Sequence, residues 1–130
     1  MKIIARARHR HKQRRLAPMS EADSVMEHLV LANTNLPASV LMTLAFDQLP
    51  DVRVNLACNY HTPAQVLEIL ARDENETVRA YVTMHRNLQA ETLYELTQDE
   101  DSDVRREAMK TIMSRLDIPG HIRTAVAISA

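Results

Sequence analysis

Residues 40–53 read Val-Leu-Met-Thr-Leu-Ala-Phe-Asp-Gln-Leu-Pro-Asp-Val-Arg, residues 66–79 read Val-Leu-Glu-Ile-Leu-Ala-Arg-Asp-Glu-Asn-Glu-Thr-Val-Arg, and residues 92–105 read Thr-Leu-Tyr-Glu-Leu-Thr-Gln-Asp-Glu-Asp-Ser-Asp-Val-Arg. Each stretch lies 26 residues after the one before, and no gap is needed to align them. Five columns keep one residue type through all three: Leu41/Leu67/Leu93, Leu44/Leu70/Leu96, Asp47/Asp73/Asp99, Val52/Val78/Val104 and Arg53/Arg79/Arg105. A period of this size is the signature of a stacked repeat architecture, in which each unit buries its apolar face only against a neighbour.

Working outward, each unit reads as two short helices. Pro37 and Pro63 stand where a first helix begins, with φ pre-set for a first turn, and Thr62 is placed to cap it. Over 38–46 the apolar side chains Val40, Leu41, Leu44 and Ala45 make a helical stripe. A turn holding Asp47 and Pro50 leads to a second helix over 51–58, buried through Val52 and Leu56. Before the first unit, Ser20 and Asp23 offer a capping box for a helix over 21–32, which matches only the second half of a unit and so reads as an N-terminal cap. After Thr111 the pattern decays, residues 116–120 break the helix, and 121–129 form a last amphipathic helix as the C-terminal cap. The organisation expected is therefore a basic arm at 1–18 and an all-α solenoid at 19–130, with a half repeat at 19–35, repeats at 36–61, 62–87 and 88–113, and a cap at 114–130.

Charge divides the chain at the same boundary. Residues 1–18 hold seven Lys/Arg and no acid, whereas residues 19–130 hold nine Lys/Arg against seventeen Asp/Glu, a net of −8. A basic arm on an acidic body points to an interaction tail. Cys58 is the single cysteine, so no intramolecular disulfide can form. With no apolar run of membrane length and no signal-peptide core, a cytoplasmic location and no membrane partner are expected. An organellar transit peptide fits the arginine-rich start less well, because serine is absent until Ser20.

The Asp-x-x-x-x-Val-Arg string, with a leucine-rich helix before it and Asn and Pro after it, resembles the leucine-rich repeat variant family, a relative of HEAT-like repeats. Residues 57–67, Ala-Cys-Asn-Tyr-His-Thr-Pro-Ala-Gln-Val-Leu, match best, and the resemblance covers about residues 21–115. It implies a right-handed αα superhelix. The third copy departs at Gln89, Thr97 and Thr111. Family members can carry an iron–sulfur domain ahead of the repeats; the N-terminal region here has no Cys, so that activity does not carry over and no cofactor is expected. The resemblance also implies that Asp47, Asp73 and Asp99 bridge to the arginines of their own and the next repeat, Arg53, Arg79 and Arg105, and cap helix N-termini. That makes these six residues a ladder setting register between units rather than a ligand site, the alternative being arginines that bind phosphate or an acidic peptide.

For function, the chain excludes more than it names. Gly120 is the only glycine, so no glycine-rich phosphate loop exists, and no motif orders Ser, His and Asp for nucleophilic catalysis. His28, His61, His85 and His121 are scattered without metal-ligand spacing, and His9 and His11 sit among cations. No enzyme activity and no metal are expected. The working surface expected is a groove of second helices that holds another protein, at the variable columns Asn55/Tyr81/Glu107, Val54/Ala80/Arg106 and Cys58/Met84/Lys110. The alternative is sequence-blind nucleic-acid binding by Arg6, Arg8, Arg10, Lys12, Arg14 and Arg15, which have no interleaved aromatic residue for base stacking.

Overall fold

The computed structural model describes residues 34–129. These form seven helices and no strand: α1 Ala38–Leu44, α2 Pro50–Cys58, α3 Ala64–Leu70, α4 Glu76–Thr83, α5 Ala90–Leu96, α6 Ser102–Ser114 and α7 Gly120–Ser129. The first helices of successive pairs begin at 38, 64 and 90 and the second helices at 50, 76 and 102, so the 26-residue period of the sequence is carried into the helix bounds. Among the described residues no helix is long and apolar enough to cross a membrane. The basic arm and the expected helix over 21–32 lie outside the described residues.

Local chemistry sets the ends. Pro37, Pro63 and Gln89 precede α1, α3 and α5 with extended backbone, and Pro50 is the first residue of α2, where its missing N–H costs nothing. The Asn75 side chain caps α4 by accepting from Thr77 N–H, and Asp101 caps α6 by accepting from the N–H groups of Asp103 and Val104. Thr62 does not cap α3. Its buried hydroxyl donates back to the Leu56 carbonyl at 2.7 Å, tying off the end of α2 instead. The first helices stop at Leu44, Leu70 and Leu96, two residues short of the expected end of α1, because Asp47, Asp73 and Asp99 turn the chain: each carboxylate accepts the N–H two residues on, at 2.9 Å.

One apolar core runs the length of the body. Every constant Leu and Val column is buried in it, together with Leu56, Val66, Val82, Leu88, Ala108, Ile112, Ile122 and Val126. In packing, α2 lies on α4 and α4 on α6, each first helix packs against the second helix of its pair, and α7 packs on α5 and α6. Helices this short do not persist alone. Each fully buried Leu or Val contributes about 1.5 to 3 kcal/mol through contacts between elements.

Candidate functional site

Two rows of side chains link neighbouring helix pairs, and a pocket lies beside the second row. The first row is the Asp/Arg ladder. Arg53 Nε and Nη2 donate to Asp73 Oδ2 and Oδ1 at 2.7 and 3.2 Å, while its Nη1 donates to the Asp47 carbonyl at 2.6 Å. Arg79 repeats this with Asp99 Oδ2 and Oδ1 at 2.9 and 3.0 Å and the Asp73 carbonyl at 2.7 Å. The direction differs from the expectation. Asp73 and Asp99 each give the carboxylate to the arginine of the preceding pair, and in all three copies the arginine of the same pair takes only the backbone carbonyl. The carboxylates also close turns and do not cap helices, a task left to Asn75 and Asp101. Burial acts to lower the Arg79 pKa, but Asp99, Glu100 and Glu76 outweigh it, so the guanidinium is held above its ordinary value and stays charged.

A second row, at the other end of the second helices, was not legible as a site. Asn59 Oδ1 accepts the His61 N–H at 2.9 Å while its Nδ2 reaches the Thr34 carbonyl. One period on, His85 does the same with a ring: Nδ1 accepts the Asn87 N–H at 3.0 Å and Nε2 lies 2.7 Å from the Asn59 carbonyl. Only the neutral imidazole carrying its proton on Nε2 satisfies both contacts. Asn87 Nδ2 donates to the Thr62 carbonyl, and Arg115 Nη1 donates to the Leu88 carbonyl. The signal was present in the sequence, since His85 falls in the column of Asn59.

Burial is the main cause that lowers the His85 pKa below 6.5, reinforced by the Arg86 charge and opposed by the bond to Asn59. The unfolded chain therefore binds a proton that the native state refuses in the window just below 6.5. This contribution to stability is complete above that value and declines as pH falls through the window. Urea midpoints across pH 7.5 to 5 should show that decline, and His85→Asn, which keeps both hydrogen bonds of the column, should flatten it. An unchanged slope in the variant would remove His85 as its source.

Between the ends of α2 and α4, beside this row, a pocket of about 360 Å³ is lined by Ala57, Cys58, Tyr60, Tyr81, Met84, His85 and Arg86. Its walls are mainly apolar, with one cation at the rim: the Arg86 guanidinium stacks over the exposed Tyr60 ring, 3.8 Å from its centroid. Tyr60 and Arg86 are one period apart, as are Cys58 and Met84, so the pocket is built across two helix pairs. It suits an apolar side chain or a small apolar ligand with an acceptor group near Arg86.

The expected groove residues divide. Tyr81 and Met84 line the pocket, half-buried. Asn55 and Glu107 do not face outward, because both are buried, as is Ala80. Among the described residues Asn55 Nδ2 has no hydrogen-bond partner, and Glu107 pairs with Lys110 at 3.2 Å. Lys110 and Arg106 are exposed, and Arg106 pairs with Asp103 at 2.8 Å, so both cations are tied along α6. Arg6, Arg8, Arg10, Lys12, Arg14 and Arg15 lie outside the described residues. Among the described residues no group of three or more His, Cys, Asp and Glu side chains converges to hold a metal ion. Comparison with protein-family models, with curated proteins and with solved structures gives no match.

Proposed function

We propose that the chain is a non-enzymatic interaction scaffold: a short right-handed solenoid of the leucine-rich repeat variant type, with three 26-residue repeats, that holds a segment of another protein along its second helices. The observation that carries this reading is the mainly apolar pocket across α2 and α4, lined by Cys58, Tyr60, Tyr81, Met84 and Arg86. Side chains from two neighbouring pairs meet there, so a bound segment would be read by more than one unit, as solenoids read extended partners. Tyrosine, methionine and arginine are also the side chains that dominate contact surfaces. The recurrence of helix starts at one spacing and the buried constant columns support the solenoid architecture.

The test is selection of peptides from a random display library on the full chain, with binding then measured by fluorescence. Tyr81→Ser is expected to weaken the selected peptides about tenfold or more, with the helical spectrum retained, while Gln65→Ala on the exposed side of α3 leaves them unchanged. Peptides indifferent to Tyr81 and Met84 would move the contact surface elsewhere.

A further inference from the structure

The Asp/Arg ladder has an open rung. Arg105 is held as its two predecessors are: Nη1 donates to the Asp99 carbonyl at 2.7 Å and also to the Glu100 carbonyl at 3.0 Å, fixing the guanidinium across the start of α6. In Arg53 and Arg79 the opposite edge, Nε with Nη2, grips the Asp of the next pair. Among the described residues no carboxylate takes that edge of Arg105. The reason is visible in the following element. Position 125, one period after Asp99, is Ala125; α7 runs on as helix through Ser129 where the shorter α5 gives way to the acidic turn; and residues 118–130 contain no Asp or Glu.

We propose that the free edge of Arg105 is a carboxylate-binding site, and that its occupant is an acidic side chain of a partner polypeptide docking at the α6–α7 end of the body. The receptor geometry is the one this protein already uses twice, two N–H groups in one plane facing the two oxygens of a carboxylate. Beyond the acidic start of α6, where Asp99, Glu100, Asp101 and Asp103 lie, the rest of α6 and α7 is the one basic stretch of the described body, and it favours an acidic polypeptide that runs along it. Residues 36–104 carry four Lys/Arg and twelve Asp/Glu, whereas residues 105–130 carry five and two. Glu100 and Asp101 beside the site disfavour a doubly charged phosphate more than a singly charged carboxylate. An isolated surface ion pair is weak, so a free small carboxylate would not be retained. A polypeptide running along the helix pair can add apolar contacts: Met113 and Leu116, at the far end of α6 from Arg105, and Ile128 on α7 are 59, 95 and 79 % exposed.

The site is distinct from the pocket at α2 and α4, so the two readings fail separately. Peptides are selected on the full chain from a random display library and counter-selected on Arg105→Gln, whose fold is checked by its helical spectrum and urea midpoint. The expected peptides carry Asp or Glu, bind Arg105→Gln at least about thirtyfold more weakly, and lose as much when their acid becomes the amide. The amide swap has no further effect on Arg105→Gln, Arg105→Lys does not restore binding, and Tyr81→Ser leaves it intact. No Arg105-dependent peptide, or Arg105-dependent peptides without an acid, would overturn the proposal. So would displacement by inorganic phosphate that itself binds in an Arg105-dependent way. An Arg105-dependent dimer of the chain alone, seen by sedimentation, would assign the edge to a second copy and overturn it equally.

Discussion

Asp99→Asn is expected to lower the unfolding free energy by about 3 to 5 kcal/mol, with the urea midpoint falling and the slope of the transition unchanged. The amide keeps an oxygen for the Asp101 N–H, so the turn survives and the loss isolates the charge. What remains is Arg79, with a side chain only 8 % exposed, which has lost the group that chiefly held its pKa up against burial but, as a guanidinium, still does not shed its proton at neutral pH. Glu100 lies 3.7 Å from Arg79 but is itself 89 % exposed, so it replaces little of what Asp99 supplied. The control is Asp47→Asn. Asp47 accepts the Leu49 N–H in the same kind of turn but forms no ion pair among the described residues, and its change should cost under about 1 kcal/mol. Equal effects at the two positions would mean that the turn, and not the ion pair, matters. A buried pair is weak grounds for net stability, so Arg79→Met added to Asp99→Asn, which keeps the turn oxygen, should recover much of the loss. In the proposed solenoid the pair would set register, since a slipped neighbour would leave two buried charges unpaired.

The same ladder shows where sequence reading ends. The Leu, Val, Asp and Arg columns were legible because a period repeats the same burial problem in every unit, and the one solution is written each time. For that reason α1 and α2 fell within two residues of the expected bounds. The partner of each Asp was not legible, since a carboxylate and a carbonyl on one residue are the same letter. Only the fold separates Arg53, which reaches the Asp73 carboxylate, from Arg79, which takes the Asp73 carbonyl.

Positions that vary between units carry less. Asn55, Tyr81 and Glu107 share a column, yet two are buried and one lines a pocket, because each meets different neighbours. Taken alone, His85 is a scattered histidine with no sign of a role. Its place in the Asn59 column states its role, as both side chains present an acceptor to the N–H two residues on and a donor to the preceding unit. Tyr60 and Arg86 likewise look unremarkable apart, and one period of separation stacks them.

Leu70→Ala should cost about 2 to 5 kcal/mol, measured from the urea transition of the full chain. Leu70 is fully buried at the last residue of α3, where it belongs to the apolar core that also holds Leu44 and Leu96. Truncation removes methyl groups from a site walled by helices whose own positions are set by other columns, so the space left can close only partly. In the proposed solenoid a central unit supports two neighbours and an outer unit fewer, so Leu70→Ala should exceed Leu44→Ala. Against a domain stability of about 5 to 15 kcal/mol, the central change removes a large share. Amide exchange then separates two ways of failing. If the described helices act as one cooperative body, protection in Leu70→Ala falls together from α1 to α7. If α3 and α4 lose protection while α5 to α7 keep theirs, the units open independently, and the coupling between pairs assigned here to the ladder and the core is too weak to hold them in one transition. A midpoint that does not move would place Leu70 outside the core and withdraw the register of all three copies.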